Sequence, residues 1–111
     1  MITIDKLREF GADVDTGLTR CMNNETFYIM LISKVIEDKK LDLLEKQLRD
    51  HALDEAFETA HALKGMYANL SLDPLYRPVS EMTELLRSRT DADYTDYINE
   101  AKTQLERLSA L

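Results

Sequence analysis

A chain of 111 residues is close to the usual size of one domain, so a single hydrophobic core spanning residues 1–111 is expected and a two-domain enzyme is not. The residues are 44% hydrophobic and 32% charged with only three Gly and two Pro, which fits a soluble helical protein and excludes a disordered or fibrous one. Lys and Arg total 14 against 21 Asp and Glu, for a net charge of -7, a balance that makes nucleic acid and anionic membrane surfaces poor partners. The start, Met1-Ile2-Thr3-Ile4-Asp5-Lys6, has no apolar run behind a basic stretch, and no later segment is apolar for the roughly 20 residues that span a bilayer. A cytoplasmic location is therefore expected. The single cysteine, Cys21, has no partner for an internal disulfide and no clustered His or CxxC for a metal site, so it reads as a buried thiol.

In chain order, Ile4, Leu7 and Phe10 share a helical face behind Thr3, and Gly11 supplies a stop, which predicts a short leading helix. Asp15 is a candidate cap for a second short helix carrying Leu18, Cys21 and Met22, interrupted at Asn23-Asn24. From about Glu25 the run Phe27 to Ile32 is apolar nearly all round. Val35 and Ile36 follow, and Leu41, Leu44 and Leu48 continue the same helical period up to a break at Asp50-His51. A long helix is expected from about Asp54 to Leu70. Asp73-Pro74 then places a capping carboxylate before a proline suited to the first helical turn, although Pro78 argues for a regular helix that starts only near that residue. Thr90-Asp91-Ala92-Asp93 resembles a capping box ahead of a last helix, whose apolar stripe is Tyr94, Tyr97, Ile98, Ala101, Leu105 and Leu108. No β-alternation or repeat is visible. The predicted fold is all-α: an antiparallel four-helix bundle with one or two short N-terminal accessory helices.

The chemistry concentrates on the long helix. At about 100° per residue, setting His61 at zero puts Ala56, Leu63, Met66, Tyr67 and Leu70 at roughly 140–240°, on the opposite face, so His61 points to solvent. Beside it lie Phe57 and Ala68 on one side and Glu58 and Gly65 on the other. Lys64 sits three residues on, about 60° away, where it contributes little packing. A glycine on a solvent-facing helix surface costs about 1 kcal/mol relative to alanine, yet it lets another protein's loop approach the imidazole closely. Phe57, Glu58, Gly65 and Ala68 are thus candidate partner-binding residues. A neutral imidazole is a competent nucleophile, and an ammonium at this spacing can neutralise an incoming phosphoryl group. His51 has the same chemistry but lies at a helix break with no Lys-Gly neighbour, and it reads as an incidental surface residue. The acidic groups Glu37-Asp38, Asp54-Glu55 and Glu81/Glu84 include no Glu-x-x-His, so they read as solvated helix faces and not as metal ligands.

The string Ala60-His61-Ala62-Leu63-Lys64-Gly65, followed by Ala68-Asn69-Leu70, resembles the AHxLKGxxANxG signature of histidine phosphotransfer (HPt) domains. Close residue matches run from Ala60 to Leu75. Ser71 stands where that family usually has Gly, Met82-Thr83 where Leu-Glu is common, and Met66 and Tyr67 replace small residues. The resemblance implies that His61 is phosphorylated, that Lys64 stabilises the phosphate and that Gly65 admits a receiver domain. It implies response-regulator receiver domains and a hybrid histidine kinase as partners. The chain would need no cofactor, because the receiver would bring Mg²⁺. There is no GxxxxGK[ST] and no nucleotide lid, so a phosphocarrier without ATP-dependent kinase activity is expected, acting as a monomer. The alternative is a helical adaptor that binds a signalling partner through the same face without being phosphorylated.

Overall fold

The computed structural model describes all residues, 1–111, and contains seven helices and no strand. These are α1 (Ile4–Phe10), α2 (Val14–Arg20), α3 (Glu25–Glu37), α4 (Lys40–Arg49), α5 (Leu53–Asn69), α6 (Asp73–Arg87) and α7 (Thr95–Ser109). Helices α4 to α7 follow one another through short connections and pack in sequence, α4 on α5, α5 on α6 and α6 on α7, with α7 returning against α4. This is the expected bundle. Its core is built from stripes at helical spacing: Leu41 and Leu44, then Ala56, Ala60, Leu63 and Tyr67, then Leu75, Val79, Met82 and Leu86, and finally Ile98, Ala101 and Leu108.

Several boundaries differ from the sequence reading, each for a local reason. Asp13, not Asp15, caps α2, accepting the Thr16 N–H at 3.3 Å and the Thr16 hydroxyl at 2.8 Å. The period running through Leu41, Leu44 and Leu48 belongs to a separate helix. Asp38 is extended, and its carboxylate accepts the backbone N–H of Lys40 at 2.8 Å, so one helix ends and the next begins there. The accessory part is consequently three helices, α1 to α3. Asp73 is the first residue of α6 and no side chain caps that end. Helix α6 also runs unbroken through the buried Pro78, whose missing N–H forfeits only a bond to the Pro74 carbonyl in the first turn. The proposed box at Thr90 to Asp93 is connection. Asp93 accepts the Thr95 N–H at 3.0 Å, so α7 starts at Thr95, and the Tyr94 hydroxyl donates back to the Thr90 carbonyl at 2.7 Å.

Three of the helix ends that close on a left-handed residue bear on the site. After α4, α5 and α6 the chain closes with paired backbone bonds of the Schellman type, and the left-handed residue in each is not glycine: His51 (φ 55°), Ser71 (φ 55°) and Arg89 (φ 52°). Each carries a backbone cost on the order of 1 kcal/mol. Ser71, standing in the position where the HPt signature has glycine, is compensated by the accessory helices. Its carbonyl accepts the Asp13 N–H at 3.0 Å and its hydroxyl accepts from the Arg20 guanidinium at 3.1 Å. Arg20 also donates to the Ala68 carbonyl, and the buried Tyr28 hydroxyl donates to the Leu70 carbonyl at 2.7 Å. The last carbonyls of α5, which a helix end leaves without partners, are thereby satisfied from α2 and α3. Burial pushes the Tyr28 phenol up to about 12, which keeps it a donor across the physiological range.

Tyr28 reaches Leu70 by lying across Gly17. A Cβ at Gly17 would stand 2.7 Å from the Tyr28 ring and hydroxyl, closer than packed atoms tolerate. Gly17→Ala is therefore expected to displace Tyr28 and to lower unfolding stability by about 1–3 kcal/mol, as overpacking does. Thermal or denaturant unfolding checks it, and a variant as stable as the parent would show that Tyr28 can shift without losing its bond.

Candidate functional site

His61 sits in the middle of α5, where Ala56, Leu63, Tyr67 and Leu70 bury the opposite face and Met66 lies half-buried at its edge. The imidazole is exposed and stacks on Phe57, one turn earlier, with ring centroids 5.6 Å apart and planes 5° from parallel. Phe57 is half-buried. Two guanidiniums lie over its ring, Arg87 with its central carbon 5.1 Å from the centroid and Arg89 at 4.8 Å. Arg89 is fixed there by its other bonds: its Nε donates to the Asp54 carboxylate at the start of α5, and its guanidinium donates to the Leu86 carbonyl at 2.8 Å. The strained end of α6 thus pins the helix that carries His61 and supports the aromatic ring beneath it.

Glu58 and Gly65 are exposed, and Ala68 is half-buried. A Cβ built on Gly65 meets nothing within 4 Å, so the surface beside His61 is open, and the chain's own packing does not demand a glycine there. Lys64 departs from the expectation of a side chain free in solvent. Its side chain is 24% exposed, and its ammonium lies 3.8 Å from the Glu84 carboxylate on α6. The aliphatic stem therefore packs between α5 and α6 while the charged end stays at the rim. Glu84 in turn pairs with Arg87 at 3.2 Å. Lys64, Arg87 and Arg89 thus gather on the side of α5 that carries Phe57 and His61, each paired with a carboxylate, Glu84 or Asp54.

Arg87 and Arg89, and the pairing role of Glu84, were not apparent from residue types. The signal available was topological: with a tight turn at Ser71, α6 folds back along α5 and brings its last turns opposite the segment from Asp54 to Lys64. His51, the other histidine, is exposed at the left-handed end of α4, 4.0 Å from the equally exposed Asp91, and lacks a lysine or arginine partner. It borders a groove of about 650 Å³ between the end of α4 and the α6–α7 connection. His61 does not line it. A carrier histidine that must be reached by another protein needs an open surface more than a cavity, so the groove does not displace His61 as the candidate.

The Hpt domain family model matches residues 37–111, two-thirds of the chain. The chain belongs to the Hpt domain family. Searches of curated proteins and of solved structures returned no match. The matched segment begins at the last residue of α3, so the bundle α4 to α7 is what this Hpt domain has in common with its family, and α1, α2 and the rest of α3 lie outside the match. Hpt membership implies histidine phosphotransfer within a phosphorelay, as a phosphocarrier and not as a kinase, in two-component signalling with receiver domains and kinases. No helix is long and apolar enough to cross a membrane.

Proposed function

We propose that this Hpt domain carries a phosphoryl group on His61, accepting it from the aspartyl phosphate of one receiver domain and passing it to the aspartate of another. The observation that carries the proposal is the exposed imidazole in the middle of α5, with open space over Gly65 on one side and Lys64 at its flank. In uptake, a ring nitrogen attacks the phosphorus, the bond to the aspartyl oxygen breaks, and the imidazole proton leaves to solvent. Onward transfer reverses the sequence on a second carboxylate. Such a reaction asks for positioning and charge stabilisation more than for covalent work by the protein. The Phe57 stack sets the ring's orientation, Lys64 meets the phosphoryl oxygens, and Phe57, Glu58, Gly65 and Ala68 form the surface on which the receiver docks. The receiver supplies the acidic pocket and its Mg²⁺. A hybrid histidine kinase bearing a receiver is the proposed source, and the protein acts as a monomer in the cytoplasm.

The direct test is to mix the protein with receiver domains carrying labelled aspartyl phosphate. The label is expected to move to this chain in an acid-labile, base-stable form and to return to a second receiver. Docking without label transfer would favour the adaptor reading.

Lys64 offers a further check. Lys64→Ala is expected to slow uptake or shorten the phosphohistidine's lifetime. It removes a packed stem and one rim ion pair, so the stability loss should be about 0.5–1 kcal/mol. Lys64→Arg should retain part of the effect, since the charge remains while the planar fork meets the phosphate differently. Unfolding and transfer rates measured on one preparation separate the two roles. Marked unfolding with normal transfer by the folded fraction would make Lys64 a packing residue only.

A further inference from the structure

The Glu84 carboxylate holds two cations at once, with Lys64 Nζ at 3.8 Å and Arg87 Nε at 3.2 Å. Both border His61. Lys64 is on its helix three residues on, and Arg87 lies 5.1 Å from the Phe57 ring that itself stacks on the imidazole at 5.6 Å. Glu84 and Arg87 are both more than half exposed, so neither pair is needed to fill the core, and each can exchange partners at little cost. A phosphoryl group on His61 would bring close to two negative charges and three acceptor oxygens to this spot, by analogy with other phosphorylated side chains. A single carboxylate is the weaker competitor.

We propose that Glu84 is an internal placeholder for the phosphoryl group. In the unphosphorylated chain it keeps Lys64 and Arg87 together beside His61. When the phosphoryl group arrives it surrenders them, so Arg87 becomes a second phosphate-holding cation and Glu84 sets how long the group stays. This rests on the assignment of His61 as the phosphorylated residue. Loss of the group by hydrolysis breaks the P–N bond: water adds to phosphorus, the bonding electron pair stays on the ring nitrogen, and that nitrogen takes a proton as inorganic phosphate departs. The transition state is loose, with electron density drawn from the phosphoryl oxygens towards phosphorus. With no receiver docked to position the attacking and leaving groups, cations bound to those oxygens stabilise the phosphohistidine more than the loose transition state of its hydrolysis and prolong it, whereas Glu84, by competing for the cations, shortens its life.

The test loads His61 from phosphoramidate, so that no receiver is required. The ring nitrogen attacks phosphorus and ammonia leaves with the imidazole proton. The half-life of the base-stable phosphate is then measured for the full chain and for Glu84→Gln, Glu84→Asp and Arg87→Gln. Glu84→Gln should lengthen the half-life about two- to fivefold, Arg87→Gln should shorten it about two- to fivefold, and Glu84→Asp should stay near the parent, all with little change in melting temperature. If the parent loads on His61 but Glu84→Gln decays at the parent rate or faster, or Arg87→Gln decays at the parent rate, the placeholder is refuted and the carrier reading stands. If the parent takes up no phosphate on His61 from phosphoramidate or from any receiver, both are refuted.

Discussion

His61→Gln is expected to abolish phosphate uptake while leaving the helices intact. Glutamine keeps a polar side chain of similar length on an exposed helix position, and its helix propensity is at least as good as that of histidine. The fold loses one aromatic stack on Phe57, worth about 0.5–1.5 kcal/mol. Chemistry loses its nucleophile entirely, since an amide does not form the P–N bond. The other histidine should not substitute. His51 occupies a left-handed position at the end of α4, and its ring lies 4.0 Å from the Asp91 carboxylate, which would repel an incoming phosphoryl group. His51→Gly is the informative control, because it removes that imidazole and relieves the backbone cost at φ 55°, so it should label normally and melt higher. Circular dichroism and phosphate uptake on the two variants decide the matter.

Gly65→Gln should move stability and transfer in opposite directions. The position lies inside α5 in open space, so a side chain there meets no neighbour and replaces the weakest ordinary helix former with a good one, a gain of up to about 1 kcal/mol. The same side chain would stand between His61 and an approaching receiver. An obstruction worth about 1.4 kcal/mol or more in the docked complex slows transfer at least about tenfold. Loading from phosphoramidate, which is small, should be nearly unaffected. That contrast separates blocked access from damaged chemistry. A more stable variant that also exchanges phosphate with receivers at the parent rate would show that the glycine is merely tolerated.

Legibility from sequence followed the range of the interactions involved. The first helix was readable at both ends because its signals are local: Thr3 accepts the Lys6 N–H and Gly11 takes φ 111°. The break between α3 and α4 was hidden because the leucine period runs on through Leu41, Leu44 and Leu48, while the interruption depends on one carboxylate bond from Asp38. The ends of α4, α5 and α6 lacked their usual glycine, and what holds Ser71 and Arg89 in left-handed conformations comes from elsewhere in the chain: Asp13, Arg20 and Asp54. At the site, helical period alone placed His61 outward with Gly65 beside it, since that depends on one helix. The depth of Lys64 and the presence of Arg87 and Arg89 required knowing how α6 folds back on α5, which no local pattern encodes. The same distinction explains why Met66, placed on the core face by period, ends half-buried at its edge, where the neighbouring helix does not fully cover it.

The measurement that bears most directly on the central claim is localisation of the phosphate after transfer from a receiver domain, by peptide mapping kept at alkaline pH so that phosphohistidine survives. The account predicts base-stable phosphate on the peptide containing His61 and none on that containing His51. Phosphate on His51, or a base-labile group on a carboxylate, would contradict it.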